Sequence, residues 1–178
     1  MNDIFSIKWD IVVPVLLLGL VIVRVNRRLK LGNKIFPPEY LFMFVFAQSI
    51  LHFYMPMHQL IDYPYTLCGL LPVVFRYGSQ HFFHSAFLRH DTAISPLEKS
   101  NYLFTTGIYS YTRNPIYVVM TLFLVGTATL FGSLSAFLIV PFFPLLIYYR
   151  FIRFEEAILE QTFGDEYRQY KSRVMRWI

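Results

Sequence analysis

Residues 103–117 read LFTTGIYSYTRNPIY, from Leu103 to Tyr117, and the way this stretch joins a polar segment to a new apolar run governs how the whole chain is read. Gly107 supplies a residue that tolerates positive φ where a turn needs one. Tyr109, Tyr111 and Tyr117 follow it. Arg113 stands just before a helix start, because Asn114 is a good N-cap and Pro115 suits the first helical position, where its missing N–H would be unpaired in any case. A helix N-terminus with a fixed cation beside it suits an anion such as an amino-acid carboxylate or a phosphate. The same residues also serve as a plain helix cap with a boundary arginine at a membrane surface.

Outward from this stretch the chain is apolar. Its 178 residues are 56% hydrophobic and 19% aromatic, with a mean hydropathy of +0.45, which excludes an ordinary soluble domain and implies an integral membrane protein. The single cysteine, Cys68, excludes an intrachain disulfide framework and a cysteine-rich zinc site. The first apolar run lacks a basic flank and a small-residue cleavage site, so it reads as a retained anchor rather than a signal peptide.

The apolar runs lie near Ile11–Val23, Tyr40–Met57, Tyr65–Leu88, Ile116–Phe131 and Leu134–Tyr149. They predict an all-α bundle of about five transmembrane helices forming a single membrane domain, residues 1–178, although several runs fall short of the roughly 20 residues of a perpendicular span. Charge placement orients it. Apart from Lys8 and Arg76, every basic residue falls between runs one and two, between runs three and four, or after run five. The positive-inside rule then puts the N-terminus outside and the C-terminus in the cytoplasm. This distribution explains the net charge of +5 by orientation in a bilayer, without implying nucleic acid.

Run three carries Arg76, Gln80 and His84 at helical spacing, a polar stripe that suits a pocket wall or an interhelical hydrogen-bond network. Pro72 is expected to loosen that helix. His81, His84, His90 and Asp91 do not make the repeated histidine boxes of a membrane metal centre, so no metal is expected. Asp91–Asn101 reads as a cytoplasmic loop. Only Gly132 and Ser133 separate runs four and five, which predicts a tight helical hairpin whose arms approach over Gly126, Thr127, Ala128 and Thr129. Pro141 and Pro144 are expected to kink or open the fifth helix. Past Tyr149 come Arg150, Arg153, Glu155 and Glu156. Adjacent glutamates point to different helix faces, so one is expected to look into a pocket while the other pairs with arginine or faces water. Gly164 reads as a helix end, and the amphipathic tail after it lies on the membrane surface or folds back over the Asn114 helix start.

Taken together, these residues resemble the isoprenylcysteine carboxyl methyltransferase family and the related phospholipid N-methyltransferases. That family has a GxYxxxRHPxY motif opening a helix, a helical hairpin, then EExxLxxxFGxxYxxY and a final arginine. Gly107, Tyr109, Arg113, Asn114, Pro115 and Tyr117 match the first motif, with Asn114 in the place of His; Glu155, Glu156, Leu159, Phe163, Gly164, Tyr167, Tyr170 and Arg173 match the second. Asn keeps a cap and a polar donor but does not titrate near neutrality. The resemblance covers about Thr92 to Trp177 and implies that residues 91–178 form a cofactor-binding half on scaffold helices within residues 1–90.

It implies S-adenosylmethionine as cofactor and a lipid or prenylated or otherwise lipidated acceptor in the bilayer. Arg113 would hold the cofactor carboxylate, with Gly107, Tyr109, Asn114, Pro115, Tyr117 and Tyr167 around it, and Glu155 or Glu156 would take the ribose hydroxyls. Arg150 and Arg153 would position an anionic substrate, which tilts the expected acceptor toward a carboxylate. The rival readings are an NADPH-dependent sterol or enone reductase and a non-enzymatic membrane scaffold. No glycine-rich strand-to-helix fingerprint points to a Rossmann domain.

Overall fold

The computed structural model describes residues 9–30, 36–55, 57–89 and 101–178. Lys8, Lys34 and the segment holding His90, Asp91 and Lys99 lie outside these residues, as does the side chain of Trp9. All regular structure among the described residues is helical: α1 Trp9–Lys30, α2 Pro37–Tyr54, α3 Leu70–Arg89, α4 Pro115–Phe131, α5 Leu134–Leu138, α6 Phe142–Ile147 and α7 Arg153–Arg173. Short 3₁₀ turns at Tyr65–Gly69 and Gly107–Ser110 precede α3 and α4, and a π-helical turn at Tyr148–Ile152 joins α6 to α7. The helical stretch Leu134–Arg173 is long and apolar enough to cross a membrane, and Pro115–Phe131 is apolar but shorter.

The elements pack as two compact units, each assembled from separate parts of the chain: residues 1–70 with 124–143, and residues 71–123 with 144–178. In the first, α2 starts where Pro37 and Pro38 fit a first helical turn, and the Glu39 carboxylate reaches back to accept the Phe36 backbone N–H at 3.1 Å. α1 packs along α2, with the Arg24 guanidinium 4.1 Å from the Phe42 ring centroid. Val15, Leu16, Leu20 and Val23 of α1 stay exposed, the surface a hydrocarbon solvent accepts.

Gln48 is fully buried and ties three helices. Its amide donates to Leu124 O (3.0 Å) and Ala136 O (3.3 Å), and its carbonyl accepts from the Thr127 hydroxyl (2.6 Å). The small residues of this stretch serve α2 and the 3₁₀ turn: Thr127 bonds Gln48, and a Cβ on Gly69 would run into Gly126 O. Gly132, at φ 71°, makes the turn between α4 and α5, and its carbonyl accepts from the backbone N–H of Leu60 and Ile61.

One expectation about the prolines holds and one changes. The fifth run is not one continuous α-helix: it breaks at Ile139–Pro141, where prolines remove donors, and winds wider at Tyr148–Ile152. Pro72 does not loosen α3, because that helix begins at Leu70 and proline is tolerated in a first turn. On the α3 stripe, Arg76 is half-buried and donates from Nη1 to Gln80 Oε1 at 3.3 Å, while Gln80 and His84 are exposed.

Candidate functional site

The second unit holds the polar residues of the Leu103–Tyr117 stretch together with α7 and the C-terminal tail. Gly107 adopts φ 63° and opens the 3₁₀ turn. From there the chain runs straight into α4, whose first amide bonds close on Asn114 O, accepting from Tyr117 N–H and Val118 N–H at 3.1 Å each. The Asn114 side chain spends its amide on Arg176 O, at 3.3 Å. Pro115 is fully buried at the first helical position, as its fixed φ favours.

The tail folds back over this helix start. The Arg113 backbone N–H donates to Met175 O (3.0 Å), the Thr112 hydroxyl donates to Arg176 O (2.9 Å), and Arg113 Nη1 donates to Lys171 O (2.7 Å). What makes the fold-back is a kink: Gly164, inside α7, takes φ 52° and ψ −121°, a conformation open to glycine and closed to a helical residue. Gly164 therefore ends one helical segment and starts the next at an angle within α7, in line with its reading as a helix end. Beyond the bend, Tyr167 and Tyr170 bury against Leu103, with Leu159, Phe163 and Val174 packed around them, and Tyr170 Oη donates to Tyr109 O at 2.7 Å.

Glu155 and Glu156 meet different partners. Glu156 accepts from Arg113 Nη2 (3.0 Å) and, through both oxygens, from Arg176 Nε (3.0 Å) and Nη2 (2.8 Å). Burial alone would raise its carboxyl, but the arginines hold it below the usual carboxylate range. Glu155 accepts from Tyr117 Oη at 2.5 Å, and no cation pairs with it among the described residues. Burial pushes the Glu155 carboxyl up to about 7, opposed by the Tyr117 hydrogen bond and reinforced by Glu156. Burial likewise raises the Tyr109 hydroxyl.

Two buried guanidinium nitrogens lack a hydrogen-bond partner among the described residues, Arg76 Nε on α3 and Arg113 Nε here. The Arg113 side chain is only 9% exposed, and its buried Nε has no hydrogen-bond partner among the described residues. A buried guanidinium N–H is costly to leave unpaired, so it is a donor waiting for an acceptor beside the start of α4. Arg150 and Arg153 are exposed, with Arg153 6.0 Å from the Tyr149 ring centroid. Tyr111 is exposed, whereas Tyr167 is core. On α4 and α6, an open apolar cleft of about 330 Å³ is lined by Val118, Thr121, Leu122 and Pro144, with Trp177 and Ile178 of the tail.

Arg176, Thr112 and Tyr148 belong to this constellation and no sequence motif singled them out; the Arg176 guanidinium lies 4.8 Å from the Tyr148 ring centroid. Arg173, matched to a final arginine by spacing, is exposed, and among the described residues its side chain donates only to Gln169 O. Nothing in local composition separates Arg176 from its basic neighbours. The one signal is the alternative in which the tail folds back over Asn114.

The family model for phospholipid methyltransferases matches residues 65–166. A protein-S-isoprenylcysteine O-methyltransferase of Schizosaccharomyces pombe is 36% identical over 80 residues, 45% of this chain and 34% of the relative, so the match spans about a third of that protein. An uncharacterized protein of Haemophilus influenzae is 41% identical over 63 residues, 35% of this chain and 100% of the relative. No solved structure matches.

Proposed function

Since the chain belongs to the phospholipid methyltransferase family, we propose that it transfers a methyl group from S-adenosylmethionine to a lipid or lipidated acceptor within the bilayer. The observation that carries this reading is the buried, unpartnered Nε of Arg113 at the start of α4, set among Asn114, Tyr109, Tyr117 and the two glutamates. A cation-rich turn fits a carboxylate, and Glu155 fits hydroxyl donors such as a ribose. When bound there, the cofactor supplies an electrophilic sulfonium methyl.

The chain's part is alignment and exclusion of water. Arg113 and the Asn114 helix start would anchor the carboxylate, Gly107 and Pro115 shape that turn, Glu155 would take the ribose, and Tyr109 and Tyr117 would wall the cation with ring faces. Glu156 holds the arginines, and Tyr167 supports from the core. The apolar cleft beside Thr121 offers room for a hydrocarbon chain. Five crossings with the C-terminus cytoplasmic remain our topology, tested by reporter fusions at each loop.

Arg150 and Arg153 support an anionic acceptor, because a carboxylate is already ionised at pH 7 and asks for a cation but no base. Glu155 supports a second reading. A carboxyl without a cation, held near 7, suits an amine that must lose its proton before attack. Membranes given labelled S-adenosylmethionine decide between them, since a methyl ester releases methanol in mild alkali and a methylated amine does not. Absence of any labelled lipid, with NADPH bound instead, would move the protein to the reductase class.

A further inference from the structure

We infer that Arg176, in the tail beyond α7, is a positioning residue for the cofactor carboxylate, acting through Glu156 on Arg113. This rests on the methyltransferase reading above.

The geometry is a chain of charges. Arg176 grips both oxygens of Glu156, at 3.0 and 2.8 Å, and the same carboxylate takes Arg113 Nη2 at 3.0 Å. Arg113 Nη1 is held by Lys171 O. With both amino groups fixed, the guanidinium cannot turn, and Nε is the one of its three nitrogens left without a partner among the described residues. A bidentate fork is what fixes a carboxylate in a plane, and a lysine at 176 would not supply it.

Charge balance gives a second reason. Arg113 and Glu156 alone would cancel. Arg176 makes the triad net positive beside the positive end of α4, which is the condition for drawing in an anion. The backbone helps to place it: Arg176 O is held by the Thr112 hydroxyl and the Asn114 amide, so the residue is fixed at both ends. The tail is therefore part of the site.

The test measures binding of S-adenosylhomocysteine, which carries the carboxylate, and of 5′-methylthioadenosine, which lacks it, to the purified full chain in detergent. Arg176→Ala should weaken the first by roughly tenfold or more, the scale of one charge-assisted hydrogen bond, and leave the second unchanged. Arg176→Lys should fall between. Arg176→Ala with Glu156→Gln restores the net positive charge and should recover part of the affinity, which a mere packing role would not do. In turnover, KM for S-adenosylmethionine should rise while kcat at saturation holds, and Arg168→Ala, an exposed control, should change nothing.

Equal weakening of both ligands without rescue, or no weakening at all, overturns the assignment while leaving the methyltransferase reading in place. A wild-type protein that binds neither ligand removes both.

Discussion

Glu155 and Glu156 are adjacent on α7, yet Glu156 is gripped by Arg113 and Arg176 while Glu155 is met by the Tyr117 hydroxyl alone among the described residues. Two carboxylates pushed apart in this way should give the protein opposing pH responses. The folded state binds the Glu155 proton more tightly than the unfolded chain does, so stability from this group falls as pH rises from the ordinary carboxyl range to about 7. Glu156 runs the other way, its contribution full above the ordinary carboxyl pKa and lost as pH falls through its lowered value. Melts of wild type and Glu155→Gln in detergent should show the wild-type advantage shrinking between about pH 5 and about pH 7.5. Parallel curves would show that Glu155 is ionised throughout.

Tyr117→Phe removes the hydroxyl that stabilises ionised Glu155. The midpoint of that pH response should move up, and the protein should lose about 1.5–3 kcal/mol at pH 7, the usual range for a hydrogen bond to a charged group. An unmoved midpoint would mean that another donor satisfies Glu155.

Leu122→Trp should fill the apolar cleft between Thr121, Pro144 and Trp177. If a hydrocarbon chain lies there, KM for the lipid acceptor rises severalfold, while affinity for S-adenosylhomocysteine stays as in wild type. A change in cofactor affinity with acceptor KM untouched would place the chain elsewhere.

In the first unit, Gln48→Leu strips partners from Ala136 O and from the Thr127 hydroxyl, all in a buried setting. A melting experiment should register a loss of about 1–3 kcal/mol, the cost of leaving buried polar groups unpaired. Thr127 retains its bond to Leu124 O, which limits the damage.

Much of the site is legible in the sequence because its residues obey local rules. Asn114-Pro115 marks a helix start wherever it occurs, Gly107 marks the turn before it, and adjacent glutamates on a helix must part company. The division of the chain into packing units is not legible, because it depends on Gln48 reaching Leu124 and Ala136 across long sequence separations. Arg176 escapes for a related reason: its role follows from the backbone bend at Gly164, far back along the chain, and not from its own neighbours. Local rules give Asn114 to the helix start, and its side-chain NH2 also holds the tail, a use no helix rule contains.

That bend carries the last prediction. Gly164 holds φ 52° and ψ −121°, and nothing lies within 4 Å of where a Cβ would project, so an alanine there meets no clash, only a backbone it disfavours by on the order of 1–3 kcal/mol. The chain can escape that cost by straightening α7. Doing so withdraws Tyr167 and Tyr170 from Leu103 and pulls Met175 and Arg176 off Arg113 and Asn114. Gly164→Ala should therefore speed trypsin cleavage after Lys171 and Arg173, whose backbone the docked tail protects, and weaken S-adenosylhomocysteine binding, whereas Gly78→Ala, in an open position on α3, should be neutral or stabilise by about 0.5–1 kcal/mol. If Gly164→Ala keeps wild-type protection of the tail and wild-type affinity, the kink is not what holds the tail on the helix start.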